Sequence, residues 1–212
     1  MASFFTSEAK KVITGAVKSV ESKSSAEVVV TVRQQSDEYR DVALTMGAVT
    51  SLVTLFALFF HPADMWDDLI PVGALFAFVI TTVLVSKIAP LKRRLVSRRR
   101  MVERSLQCAR AHFVEQGVSV TRDRSGILVY VSLLERTACV VVDVGIDQSK
   151  LGEAWLLKLR ALEKAVEAED PPAFAAALTE IGPLLEGPYP RREDDVNELP
   201  DAPDMGETGA AA

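Results

Sequence analysis

Two long uncharged runs constrain this chain more than any other feature. Val42 to Phe60, VALTMGAVTSLVTLFALFF, holds 19 residues without a charge. As an α-helix it reaches about 28 Å, close to the thickness of a bilayer's hydrocarbon core. The second run, Leu69 to Ala89, carries Lys87 as its one charge, near its end, where an ammonium can snorkel to an interface. Pro71 falls in the first turn of that run, where a missing N–H costs little. Asp67 and Asp68 stand just before it, placed to cap it. Neither run has the polar face of a helix packed on a soluble core. The pair predicts a transmembrane hairpin with spans 42–60 and 69–89. The short loop His61–Asp68 joins them, and its Trp66 suits an interfacial ring.

Charge is distributed as sharply as hydrophobicity. The chain of 212 residues is 49% hydrophobic and 25% charged, and its net charge of -5 hides segregation. Residues 87–110 hold nine Lys or Arg against Glu103 alone, whereas from Glu186 onward eight acids face two arginines. The loop between the spans has Asp64, Asp67 and Asp68 and no cation. By the positive-inside rule the loop faces outward and both flanks face the cytoplasm. The basic block then lies against the bilayer's anionic headgroups. A basic run directly after a span sets topology, so no nucleic-acid partner is expected. The start, MASFFTSEAKK, lacks the basic region, apolar core and cleavage site of a signal peptide. Cys108 and Cys139 form no CxxC, and His61 and His112 lack ligand spacing, so neither a disulfide framework nor a zinc site is expected.

The flanks read as one α/β domain split by the hairpin. Residues 1–41 give a helix capped by Thr6 or Ser7, with Val12, Ile13, Ala16, Val17 and Val20 as its stripe. A strand follows over Glu27–Val32, whose continuous Val28–Val30 run fits a strand covered on both faces. Residues 90–186 begin with a basic helix, Leu91–Gln116, whose stripe is Leu95, Val102, Leu106, Ala109 and Phe113 and whose stop is Gly117. Strands Ile127–Leu134 and Thr137–Val144 form an antiparallel hairpin through a two-residue turn, Glu135-Arg136. A helix then runs from Ser149 to Glu169, and another from Asp170-Pro171-Pro172 through Leu185, disturbed at Gly182-Pro183. Residues 187–212 are acidic, rich in Pro, and expected to be disordered.

Three stretches carry a resemblance. FTSEAKKVITGAVKSVESKSSAEVVVTVRQQSDEYRD and RDRSGILVYVSLLERTACVVVDVGI resemble the two signatures of a TPM domain. The ending NELPDAP resembles the tail of bacterial membrane-inserted members of that family. The resemblance implies an α/β fold with a mixed sheet flanked by helices, here interrupted by the hairpin. It also implies the range of roles associated with such domains: acid phosphatase activity, divalent-cation binding, membrane-complex maintenance and receptor modulation. The positions it picks out are Glu27, Asp123, Gly126, Arg136, Asp143 and Gly145.

No phosphate-cradling glycine loop, DxDx(T/V) stretch or histidine phosphatase motif is present. Oxygen ligands suit Ca²⁺ or Mg²⁺, and the candidates are Asp123, Asp143, Asp147 and Glu27. Asp147 before Gln148-Ser149 also reads as a helix cap, Arg136 as half of a surface ion pair, and Gly126 and Gly145 as backbone needs at strand ends. Cys108 and Cys139 read as small buried hydrophobes. The leading expectation is a non-enzymatic, membrane-anchored domain that binds a protein partner or assembles with itself. The alternative is a divalent-cation-dependent, phosphatase-like hydrolase. Gly47, Ala48, Gly73 and Ala74 allow close approach of helices.

Overall fold

A computed structural model describes residues 3–61, 69–192, 194 and 196–206. The chain forms two compact units, Met1–Ser36 with Val102–Ala212, and Asp37–Met101. The second unit includes the short helix that follows the hairpin, which packs against it.

The first unit is a mixed α/β fold. Helix α1 (Ser7–Glu21) starts where the Ala9 N–H donates to Thr6 Oγ1 at 3.1 Å, the expected cap. It buries Ile13, Ala16, Val17 and Val20, while Val12 is exposed. Strand β1 (Glu27–Arg33) lies parallel to β2 (Gly126–Ser132), which lies antiparallel to β3 (Thr137–Val142). Among the described residues the sheet order is β1-β2-β3. The β1–β2 pairing joins the chain before the insertion to the chain after it, Glu27 opposite Gly126 and Arg33 opposite Ser132.

Alternation along the strands sorts two cores. Val28, Val30, Val32, Ile127, Val129 and Val131 face one layer, with α1 supplying Ile13 and Val17, and α6 (Gly152–Glu167), α7 (Pro171–Thr179) and α8 (Gly182–Glu186) supplying Trp155, Leu162, Phe174, Leu178 and Leu185. Val29, Leu128 and Tyr130 face the other, which holds Ala109 and Phe113 from the helix following the insertion. Burial on both faces is what a continuous apolar strand requires.

Several expectations need correction. The basic helix is not continuous. It divides into α4 (Ala89–Leu95) and α5 (Arg98–Glu115), with Val96 extended and Ser97 restarting the helix by accepting the Arg100 N–H. The buried face of α5 is rotated from the expected stripe: Val102 is exposed, whereas Met101, Ser105, Ala109 and Phe113 are buried. The strand connection is a four-residue turn, Leu133–Arg136, rather than two residues. Leu133 and Leu134 are buried there, and their N–H groups donate to the carbonyls of Arg33 and Gln34. The helix expected from Ser149 begins at Gly152, after a 3-10 turn at Gln148–Lys150. The next helical stretch resolves into α7 and α8, with Gly182-Pro183 at the start of α8.

Described residues of the acidic tail pack on the α/β unit. Tyr189, Leu199 and Met205 pack on the two cores. The Asp204 N–H donates to Val30 O at 2.9 Å, and Val32 N–H donates to Asp204 O at 2.7 Å, so the tail lies along β1 as a short parallel bridge. Three apolar anchors and a sheet edge suffice to hold a segment whose composition reads as disordered.

In the second unit, α2 (Arg40–Phe59) and α3 (Leu69–Lys87) pack antiparallel and are long and apolar enough to cross a membrane. They approach closely at Gly47, where an added Cβ would sit 2.2 Å from Thr82 Oγ1 and 3.0 Å from Phe78 O. Only 11% of each helix's apolar window is buried, leaving Phe56, Phe59, Leu75, Phe76 and Ile80 exposed. Residues 62–68, which include Asp64, Trp66 and the expected caps Asp67 and Asp68, lie outside the described residues.

Candidate functional site

The end of α1, the start of β1 and the returning tail enclose a cavity of about 240 Å³ lined by Lys18, Glu21, Glu27, Arg191, Asn197 and Asp201. Lys18 and Glu21 lie on one helical face at (i, i+3) spacing. Glu27 is the first residue of β1 and is buried, 6% exposed. The tail brings the other three groups.

Contacts hold the lining in place. The Val28 N–H donates to Glu21 Oε1 at 3.1 Å, and Arg191 NH1 donates to the Glu21 carbonyl at 3.1 Å. Lys18 Nζ lies 3.5 Å from Asp201 Oδ2, and Asn197 Nδ2 donates to Asp201 Oδ1. Burial pushes the Glu21 carboxyl up to about 8, opposed by the Val28 N–H and reinforced by the Glu27 and Asp201 carboxylates. A carboxyl that is half-buried among like charges keeps its proton at neutral pH. Strong perturbation within a cavity marks a candidate site.

The four residues proposed for a divalent cation share one end of the sheet but turn to separate partners. Asp123 pairs with Arg192 at 3.0 Å, and Asp143 with Arg124 at 3.0 Å. Asp147 accepts from the Ser149 N–H and Oγ, holding its carboxyl below the usual range and serving as the cap of the 3-10 turn. Glu27 alone enters the cavity. No cluster of three or more His, Cys, Asp or Glu able to hold a metal occurs among the described residues.

The remaining motif positions have backbone and surface roles. A Cβ on Gly126 would lie 2.2 Å from Val118 O, and one on Gly145 would lie 2.5 Å from the carbonyls of Asp123 and Arg124. Arg136 takes a left-handed φ of 52° in the turn and pairs with Glu169 at 3.3 Å. Cys108 and Cys139 are free thiols, and Cys108 Sγ donates to Ser36 O at 3.2 Å.

Two features were not foreseen. Glu21 and Asp201 carry no local sequence signal, because one sits at a helix end and the other in a tail of polar, Pro-rich composition. Asn197 and Asp201 do fall in the NELPDAP stretch, whose resemblance was the available signal. Beneath α5, Ser36 Oγ meets Ser105 Oγ, Tyr130 OH and Ser132 Oγ at 3.1, 3.2 and 2.8 Å. Ser132 Oγ donates to Glu135, Ser36 N–H donates to Glu135 Oε1, and Thr137 donates to Ser105. This network satisfies the buried polar groups and accounts for Ser105 on the buried face of α5. His112 stacks on Tyr130 with ring centroids 5.6 Å apart, and burial beside Arg33 lowers its pKa.

Comparison with known proteins bears on the fold. No protein-family model matches the chain, and no curated protein sequence matches it. The chain is similar in structure to the BA42 protein of the psychrophilic bacterium Bizionia argentinensis, determined by NMR. The TM-score is 0.58 at 16% sequence identity, over 97% of this chain and 98% of that one. At that identity the likeness shows a shared fold.

Proposed function

We propose that this chain is a membrane-anchored domain of the TPM type that binds a partner protein or assembles a membrane complex without catalysing a reaction. The observation that carries the reading is the exposure of the α2–α3 hairpin. A core helix of a soluble protein is mostly covered, whereas 11% burial leaves nearly all of this apolar surface to be covered by something else. A bilayer does so along the whole length of both helices. On this reading the hairpin crosses the inner membrane of a bacterium, and the α/β unit lies in the cytoplasm.

The carboxyl cavity supplies the binding chemistry. Its lining consists of three carboxyl groups, two cations and an amide, a set that offers both donors and acceptors for charge-assisted hydrogen bonds to a polar group of a partner. Affinity capture of the full chain from detergent-solubilised membranes tests the proposal. A stoichiometric partner or a self-assembly is expected, and its recovery falls in Glu27→Gln and Asp201→Asn. Repeated recovery of neither, together with Mg²⁺-dependent turnover of phosphate esters by the pure protein, would overturn it.

A further inference from the structure

We propose that the outer edge of β3 pairs antiparallel with the same strand of a second copy of this chain, joining two sheets across a twofold axis. The inference rests on the partner-binding reading above and deepens it, by making the partner a second copy and giving the surface that it meets.

The two edges of the sheet are finished differently. On β1 the Val28 N–H donates to Glu21 Oε1, and Val32 O accepts from Arg33 NH1. The Asp204 backbone takes Val30 O and the Val32 N–H. Side chains and the returning tail thus blunt that edge. On β3 the Asp143 N–H donates to Gly126 O at 2.9 Å, which fixes the phase of the ladder. Bonded residues alternate in an antiparallel pair. Thr137, Cys139 and Val141 therefore bond to β2, while Ala138, Val140 and Val142 turn their N–H and C=O groups outward. Among the described residues β3 pairs with β2 alone, and no backbone hydrogen bond reaches those outward groups.

The strand itself does not repel a neighbour. Its sequence, TACVVV, has no charge and no proline, so it lacks the devices that keep sheet edges apart. Ala138 to Val142 are only half-buried. Val144, just past the strand, is 82% exposed, and Leu156 and Leu157 are exposed on α6, which packs against β3.

Outward N–H and C=O groups on an apolar strand fit an extended backbone of like character, and β3 is itself such a strand. Pairing it with an uncharged copy of itself buries no unpaired charge. A twofold axis normal to the sheet makes the pairing antiparallel and gives both copies the same contacts. With Val140 opposite Val140 of the second copy, Ala138 faces Val142 and about six backbone hydrogen bonds form. Cys139 then faces Val141 of the second copy at a non-hydrogen-bonded position, with Cα atoms about 4.5 Å apart, within disulfide reach.

The test uses the full chain in detergent. Mild oxidation of a Cys108→Ser, Val141→Cys variant should give a covalent dimer through Cys139, whereas Cys108→Ser alone should give none. Hydrogen exchange on the wild type supplies the second measurement. The Ala138, Val140 and Val142 amides should be protected in concentrated protein and should exchange about tenfold faster or more on dilution to monomer. Val140→Pro removes an outward donor without removing a bond to β2, and should weaken self-association about tenfold or more. An oligomer that gives no cross-link and whose three outward amides exchange freely would overturn the strand pairing alone. A monomer at all concentrations would overturn the second copy as partner, and capture of a different protein from the membranes would then leave the partner-binding reading standing without it.

Discussion

Arg100 grips Asp41 through two contacts, NH1 to Oδ2 at 2.7 Å and NH2 to Oδ1 at 2.8 Å, across nearly the whole inserted segment of chain. Its guanidinium carbon also lies 5.5 Å from the ring centroid of Tyr39, which takes a left-handed φ of 54° at the start of α2. The chain entering the hairpin unit is thus tied to the chain leaving it. Because the carboxylate is solvent-exposed, the pair sets geometry more than stability. A double-mutant cycle of Asp41→Asn and Arg100→Gln, read by thermal unfolding in detergent, should give a coupling below about 1 kcal/mol. Several kcal/mol would show that the pair is desolvated.

Helix approach at Gly47 makes a stronger prediction. Gly47→Leu would drive side-chain atoms into Thr82 and Phe78. The cost should be about 1–3 kcal/mol in detergent, as for other overpacked contacts. Gly15, inside α1 with nothing within 4 Å of an added Cβ, supplies the contrast. Gly15→Ala should stabilise the protein by up to about 1 kcal/mol. Equal effects at the two sites would remove the argument for tight packing at Gly47.

Glu21 imposes a pH dependence whose sign is fixed. Its carboxyl sits at about 8 in the folded protein against 4.5 as the ordinary value. The folded state therefore binds the proton more tightly. Its contribution is fully present at low pH, falls as pH rises across that window, and is level above it. Glu21→Gln should flatten this decline, so the variant gains most relative to wild type at about pH 8 and least at about pH 5. Urea unfolding at both values measures the difference. Parallel curves for wild type and variant would contradict the assignment.

Asp204 tests the tail. Its carboxylate accepts from Arg33 NH2 at 2.7 Å, Gln116 Nε2 at 2.6 Å and the Gly206 N–H at 3.0 Å. The Arg33 hydrogen bond holds it below the usual carboxylate range. Its stabilisation is present above the unfolded value and is lost as pH falls through the lower folded one. Asp204→Ala should cost about 1–2 kcal/mol at neutral pH, allowing for its partial exposure. Hydrogen exchange at the Val32 N–H, which donates to Asp204 O, should accelerate. Unchanged exchange would mean that the tail is held by its apolar anchors alone.

Local patterns made the α/β unit legible. The uncharged runs, the Val28–Val30 strand, the Thr6 cap and the paired strands after Gly126 each declare themselves within a short window. The turn at Leu133–Arg136 did not, because its length is set by hydrogen bonds to the end of β1, a partner about a hundred residues away. The break at Val96-Ser97 was hidden by a basic composition that favours helix throughout. Three scattered side chains, Tyr189, Leu199 and Met205, decide the tail, and composition averages them away. The cavity was half visible. Glu27 stood out at a strand start, whereas Glu21 and Asp201 gain meaning only when the tail returns to α1.

On the proposed reading the α2–α3 hairpin crosses a membrane with both of its flanks on one side. It is tested most directly by labelling single cysteines in intact cells with a membrane-impermeant maleimide, in a Cys108→Ser, Cys139→Ser background. His61→Cys, just after α2, should react from outside. Arg99→Cys should stay protected until the cells are permeabilised. Protection of His61→Cys with labelling of Arg99→Cys, or recovery of the protein in the soluble fraction, would contradict the account.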